Sequence, residues 1–213
     1  MKSDVLAADG RVIGARAQHT RRRLLETTAR LLDERGVMEL KVVDVTREVG
    51  TSPATFYQYF ADVDAAILAL SEDAAEDERP LVDHLGLDWA GPEGPARARQ
   101  FVDAYMTFWD EHHAVLRIRN LKAEEGDRRF IVARRRANVF MVEAMADTVR
   151  EGQAAGRVSR AIDPFGAGSA MVAMVERLLA YQSSMHRGRG LTRERLADTI
   201  TAIIYQTLTG RTL

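Results

Sequence analysis

Val45-Thr46-Arg47-Glu48-Val49-Gly50-Thr51-Ser52-Pro53-Ala54-Thr55-Phe56-Tyr57-Gln58-Tyr59-Phe60 decides how this chain is read. Val42, Val45 and Val49 fall at helical spacing and Gly50 follows, so a short helix ends there. Ser52 has the chemistry of an N-cap, whose oxygen takes an orphan backbone N–H. Pro53 suits the first helical position, where no N–H is needed. A second short helix then runs to about Phe60. Two short helices around a glycine turn have the proportions of a helix-turn-helix, whose second helix lies in the major groove of double-stranded DNA. On that reading Thr51, Ser52, Ala54 and Thr55 stand nearest the base edges. They are small enough for close approach, with methyls suited to thymine methyls and hydroxyls suited to base edges. Tyr57 and Tyr59 come next, with hydroxyls suited to phosphate oxygens. Lys41 adds a charge ahead of the first helix of the pair, and Arg21, Arg22 and Arg23 are expected to precede the helix before it and enter the flanking minor groove. Phe56 and Phe60, four residues apart, are expected in the core.

Helical spacing continues on both sides. Leu24, Leu25, Thr28, Leu31 and Leu32 form one face of a helix that Gly36 is placed to end. Another helix starts near Asp62 and carries Ala66, Ile67 and Leu70. The stretch from Leu85 to Pro95 holds three glycines and two prolines and reads as a loop. Beyond it a helix carries Phe101 to Trp109, Val115 to Ile118 form a short piece, and Phe130 to Val149 repeat at helical spacing towards Gly152 and Gly156. Asp163 and Pro164 open a helix that runs to about Met185, Arg187 to Gly190 form a turn, and Thr192 caps the last helix. No segment alternates with period 2. The expectation is an all-α fold of about nine helices: a flexible basic arm at 1–19, a helix-turn-helix domain at 20–66, and a helical domain at 67–213.

Composition removes whole classes of function. The 213 residues are 46% hydrophobic and 29% charged, which is globular. A formal charge of −1 excludes a globally basic coat but not a local patch. Residues 1–23 carry +4, residues 1–60 only +2, and residues 61–90 carry −8, with nine carboxylates against Arg79. With no cysteine, disulfides, thiol catalysis, iron–sulfur clusters and cysteine-ligated zinc are excluded. No apolar run reaches the roughly 18 residues of a membrane span, and acidic residues interrupt any leader, so the expectation is a cytoplasmic protein without a membrane partner. His112 and His113 are adjacent and face different sides of a helix, so they do not chelate one metal. No zinc-protease, phosphate-loop or nucleophile-elbow motif occurs. No catalytic residue, metal ligand or cofactor is assigned, and the chain is not read as an enzyme.

The 45–60 stretch resembles the signature of the TetR family of bacterial transcriptional regulators, I-A-x-x-A-G-V-S-x-G-T-(L/F)-Y-x-(H/Y)-F. Gly50, Ser52, Thr55, Phe56, Tyr57, Tyr59 and Phe60 match it directly. The chain departs where the family usually has Ala at Thr46 and Val49, Gly at Ala54, Thr at Lys41, and a phosphate-contacting Lys at Val63. The resemblance implies an operator-binding homodimer whose C-terminal helices hold a ligand pocket and a dimer interface, and whose helix at about 62–71 moves when ligand binds. Phe101, Tyr105, Phe108, Trp109, Leu116, Phe140, Met141, Met145, Met174 and Tyr181 are the candidates to line a pocket for a small apolar or amphipathic effector. The same residues equally suit a plain core. Met171, Val175, Leu178, Leu196, Ile200, Ile203 and Ile204, on one helix apolar nearly all round and one strongly amphipathic helix, are the candidates for a four-helix, two-fold interface. Such a dimer reads a palindromic operator with half-sites about 34–36 Å apart. Arg128, Arg129, Arg134, Arg135 and Arg136 read as an anion site or, by preference, as a solvated face paired with Glu124, Glu125 and Asp127. The function expected is a ligand-responsive repressor; the alternatives are an effector-free DNA-binding dimer and an all-helical carrier or enzyme.

Overall fold

The computed structural model describes residues 14–35, 40–185 and 191–213. Among them run eight α-helices and no strand: α1 (Ala15–Arg35), α2 (Val42–Val49), α3 (Pro53–Tyr57), α4 (Val63–Glu78), α5 (Gly94–Glu124), α6 (Arg128–Ala154), α7 (Pro164–Met185) and α8 (Arg193–Thr209). A 3-10 segment, Arg79–His84, follows α4. The chain divides into two compact units, one of residues up to 74 with 114–134, the other of 75–113 with 135–213. The first is larger than the 20–66 segment marked out from the sequence, because the end of α5 and the start of α6 belong to it.

In the first unit α1 packs on α2, and α2 on α3. Leu24, Leu31, Val45, Phe56 and Ile67 are buried together with Phe130 of α6. The turn that joins α2 to α3 follows from three local choices. Gly50 takes φ +74°, a left-handed conformation that costs glycine nothing. The Thr51 N–H then donates to the Thr46 carbonyl at 2.9 Å. Ser52 Oγ accepts from the Thr55 N–H at 3.2 Å, with Pro53 as the first helical residue. The family departures are accommodated: Val49 is buried in the core, Thr46 donates its hydroxyl to the Val43 carbonyl at 3.3 Å, and Ala54 is exposed. At the start of α2, Asp44 accepts from the Lys41 N–H at 3.1 Å. The Lys41 ammonium has no lone pair to return the bond, so the cap is one-sided.

The second unit is built on α5, which begins after a loop whose Trp89 is buried and donates Nε1–H to the His84 carbonyl at 2.8 Å. Rings follow one another at centroid separations of 5.9 Å from Trp89 to Phe101, 6.1 Å to Tyr105, 5.9 Å to Phe108 and 5.0 Å to His112. Arg99 ties α5 to α8: its guanidinium meets Asp103 at 2.9 Å, Glu194 at 2.7 Å and Asp198 at 2.6 Å. The bonds to Glu194 and Asp103 push the Arg99 pKa upward. Arg193 adds Asp110 at 2.6 Å. Between α6 and α7 the helices touch at Gly168, where a Cβ would stand 2.5 Å from the Val142 carbonyl oxygen.

Two expectations are corrected. Residues 94–124 form one helix rather than a helix and a separate piece at Val115–Ile118. The polar run Asp110 to His113 suggested a break, but no glycine or proline stands between 96 and 125, and a helix turns polar residues outward without ending. Residues 15–19 are not arm but the first turn of α1, and Arg21, Arg22 and Arg23 lie inside that helix rather than ahead of it. Residues 1–13, Gly36 and the turn at 187–190 lie outside the described residues. Gly168→Ala is expected to destabilise the protein by about 1–3 kcal/mol through overpacking against backbone. A melt followed by circular dichroism checks this, and an unchanged midpoint would show that α6 and α7 separate freely.

Candidate nucleic-acid interface and interior site

α3 has only five residues, too few to hold a helix alone, so its position depends on its buried side. Phe56 is 0% exposed and packs its ring 5.5 Å from that of Phe60. What remains outside is the candidate interface: Ser52, Pro53, Ala54, Tyr57 and Gln58 are exposed, and Thr51, Thr55 and Tyr59 are half-buried. Tyr57, 53% exposed, meets Phe56 edge to face at 6.0 Å, a contact that restrains the ring. Ser52 Oγ lies 3.1 Å from Thr55 Oγ1, so the two hydroxyls expected at base edges are also bound to each other in the cap.

The arginines of α1 brace this unit. Arg23 Nη2 donates to the Val49 carbonyl at 2.9 Å, at the C-terminal end of α2, where a cation also suits the helix dipole. The Arg21 guanidinium stands 5.3 Å from the Phe60 ring centroid. Arg22 and Lys41 are exposed. Two further exposed groups were not picked out from the sequence. The Arg47 side chain is 78% exposed and holds Asp44 only loosely, at 3.9 Å. Gln58 is exposed at the end of α3. The signal for Arg47 was present: with Val42, Val45 and Val49 turned inward, a residue two past Val45 points out.

In the second unit Phe101, Tyr105, Phe108, Trp109, Met141 and Met145 are all buried. Leu116 is buried as well, but belongs to the first unit. Met174 is half-buried. Phe140 and Tyr181 are not interior. Phe140 is 49% exposed under the Arg79 guanidinium at 4.8 Å, and Tyr181 is exposed under that of Arg177 at 4.3 Å. Phe140 neighbours the buried Met141 a hundred degrees round α6, and the two do not both face in. Asn138, unremarked in the sequence, faces Glu176, with Nδ2 3.5 Å from Oε1. Its buried Oδ1 has no hydrogen-bond partner among the described residues. His112 Nε2 lies 3.3 Å from Asp77, and His113 Nδ1 lies 2.9 Å from the Asp110 carbonyl oxygen. No group of metal-ligating side chains occurs among the described residues.

The candidate dimer residues divide. Met171, Val175, Leu196, Ile200 and Ile204 are buried within the chain itself, Leu178 is half-buried, and Ile203 is at the surface. Five of the seven are thus committed to the chain's own core. Apolar periodicity marks a face without saying which of two apolar faces turns inward. The outer face of α7 carries Phe165, Ala170, Ala173, Arg177 and Tyr181.

A short helix seated by two phenylalanines, capped by serine and presented after a left-handed glycine is the reading unit of a helix-turn-helix DNA-binding protein. Residues 24–69 match the family described as bacterial regulatory proteins, tetR family, and residues 81–213 match the tetracyclin repressor-like C-terminal domain. The chain belongs to the TetR family of transcriptional regulators, with its DNA-binding domain N-terminal. Solved structures share the fold. One from Saccharomonospora viridis in complex with choline superposes with a TM-score of 0.71 at 22% identity, over 91% of this chain and 100% of that one. The regulatory protein TetR from Rhodobacter sphaeroides gives 0.62 at 22% identity, over 88% and 98%. The fatty acid degradation regulator FadR from Bacillus halodurans gives 0.63 at 11% identity, over 93% and 97%. No helix among the described residues is long and apolar enough to cross a membrane.

Substitutions separate the roles of the exposed groups. Tyr57→Phe is expected to weaken binding to all duplexes alike by about fivefold, the worth of one hydrogen bond, with the salt dependence unchanged. Arg47→Gln is expected to lower the slope of log affinity against log salt by about one, because one counterion fewer is released. Anisotropy titrations at several salt concentrations give both numbers, and an unaltered slope would take Arg47 off the phosphate backbone.

Proposed function

We propose that the chain is a ligand-responsive repressor that binds a palindromic operator as a homodimer in the cytoplasm and leaves it when a small apolar or amphipathic effector binds. The observation that carries the reading is the outward side of α3, with small residues at its start and an exposed Tyr57, in the unit that also exposes the cations Lys41 and Arg47. Ala54 and the Thr51 and Thr55 methyls would approach base edges, and Tyr57, Tyr59, Arg22, Lys41 and Arg47 would hold phosphates. The interior of the second unit supports the effector. It buries aromatic rings and adaptable methionines, and the same unit holds a buried amide oxygen, Asn138 Oδ1, without a donor among the described residues. A ligand with an apolar body and one donor group would satisfy both. The choline complex of one structural neighbour and the complex of another, SmeT, with triclosan are consistent with that class. For the dimer, the outer faces of α7 and α8, with Phe165, Ala170, Ala173 and Ile203, replace the inward set as the contact surface. This reading involves no catalysis.

Selection of binding sites from random duplex DNA tests the function directly. Enrichment of a palindrome with half-sites about one helical turn apart is expected. No enrichment at low salt from a folded dimer would sink the reading. Ala173→Asp, on the exposed side of α7, is expected to give folded monomers in sedimentation velocity and to lose operator binding; a dimer that persists would move the interface elsewhere. The effector is sought by quenching of the two tryptophans with choline, a long-chain fatty acid and triclosan as probes. Trp109→Phe should remove the response and Trp89→Phe should keep it.

A further inference from the structure

Two aspartates stand directly after the reading helix. Asp62 and Asp64 flank the first residue of α4, three and five residues beyond Tyr59, so their Cα atoms lie within about 11 Å and about 18 Å of that of Tyr59 along any chain path. The Debye length grows from about 8 Å at physiological salt to about 30 Å at 0.01 M, so carboxylates here act on phosphates held at Tyr57 and Tyr59 most strongly at low salt. A DNA-binding surface gains nothing from bare negative charge at this place, and the structure does not leave it bare. Lys122 Nζ, in the last turn of α5, donates to Asp64 at 2.8 Å. Arg129, in the first turn of α6, reaches Asp64 at 3.6 Å, Asp62 at 3.8 Å and Asp127 at 2.9 Å. Its bond to Asp127 raises the arginine and lowers the aspartate from their ordinary values. Asp62 also accepts the Ala65 N–H at 2.7 Å as the cap of α4.

Within the cluster the Lys122–Asp64 pair differs from the exposed Arg30 pairs of α1 and α2. Lys122 and Asp64 are only 22% and 24% exposed in their side chains, against about half for Arg30 and its partners Glu34 and Glu48. Beneath them lies Phe130, fully buried, its ring centroid 5.8 Å from Lys122 Nζ and 5.9 Å from the Arg129 guanidinium. A pair partly withdrawn from water is screened less than an exposed one, so its charge is held in place. All of these residues lie in the same compact unit as α3.

We infer that Lys122, seconded by Arg129, is a positioning residue for DNA binding: it masks the Asp64 carboxylate at the start of α4 and so keeps the reading surface acceptable to phosphate. The inference rests on the function proposed above and adds to it residues that hold the charge beside the reading helix.

The experiment compares the full-length protein with Lys122→Gln, Asp64→Asn and the double variant, by anisotropy on a labelled duplex recovered from the selection and on a scrambled duplex of equal length. Lys122→Gln is expected to weaken binding about five- to tenfold, more at low salt than at high. Asp64→Asn should bind as tightly as the parent or tighter, and the double variant should return to within about twofold of it. A thermal melt of each accompanies the titrations; where Lys122→Gln does not fold, Asp64→Asn and Lys122→Arg decide, both expected at parental affinity. Equal affinity for Lys122→Gln and the parent would overturn the inference. So would an Asp64→Asn variant as weak as Lys122→Gln, which would make the pair a simple structural tie. A parent protein that recovers no duplex at all would remove the DNA-binding reading itself, a result separable from the other two.

Discussion

The burial of Phe56 is the contact on which the rest depends. A helix of five residues has almost no stability of its own, and the turn before it is a single left-handed glycine. Phe56 and Phe60 fasten it into a core shared by α1, α2, α4 and the α5–α6 corner. Because those rings fill the inward side, Ala54 and Tyr57 must point out. The candidate DNA-facing surface is therefore a by-product of packing, and its precision is that of the core below it.

Charge makes the second constraint. The first sixty residues carry a net charge of only +2, little for a surface that must attract a polyanion. The arginines of α1 add less than their number suggests, because Arg23 caps α2 and Arg21 lies over Phe60. With attraction so slight, where each carboxylate sits matters more than how many there are. The nine carboxylates between 61 and 90 are not equivalent: Asp62 and Asp64 pair with Arg129 and Lys122, Glu76 meets Arg79, Asp77 meets His112, and all but the first two stand at least ten residues beyond Asp62.

Legibility in the sequence followed the range of the interactions. The α2–α3 unit could be read residue by residue because its determinants are local: Gly50 for the left-handed turn, Ser52 for the cap, Pro53 for the first turn. The caps of the last two helices were legible for the same reason, with Asp163 accepting the Gly166 N–H at 2.7 Å and Thr192 the Arg195 N–H at 3.2 Å. Orientation was not legible. Val175 and Ala173 lie on one apolar helix, and only the positions of α6 and α8 decide that the first faces in and the second out. Phe140 and Met141 pose the same problem on α6. The membership of Phe130 in the N-terminal core, about seventy residues from Phe60, has no local signature at all. Of the candidate DNA contacts, those on α3 needed only the turn, whereas Arg21 and Arg23 needed to know where α1 begins.

The Arg99 cluster has a thermal consequence. One guanidinium serves three carboxylates, two of them on α8 and one on its own helix. The cost of stripping water from charged groups falls as water warms, while the gain from burying apolar surface levels off. The α5–α8 seam therefore carries a larger share of the stability in hot solution than in cold.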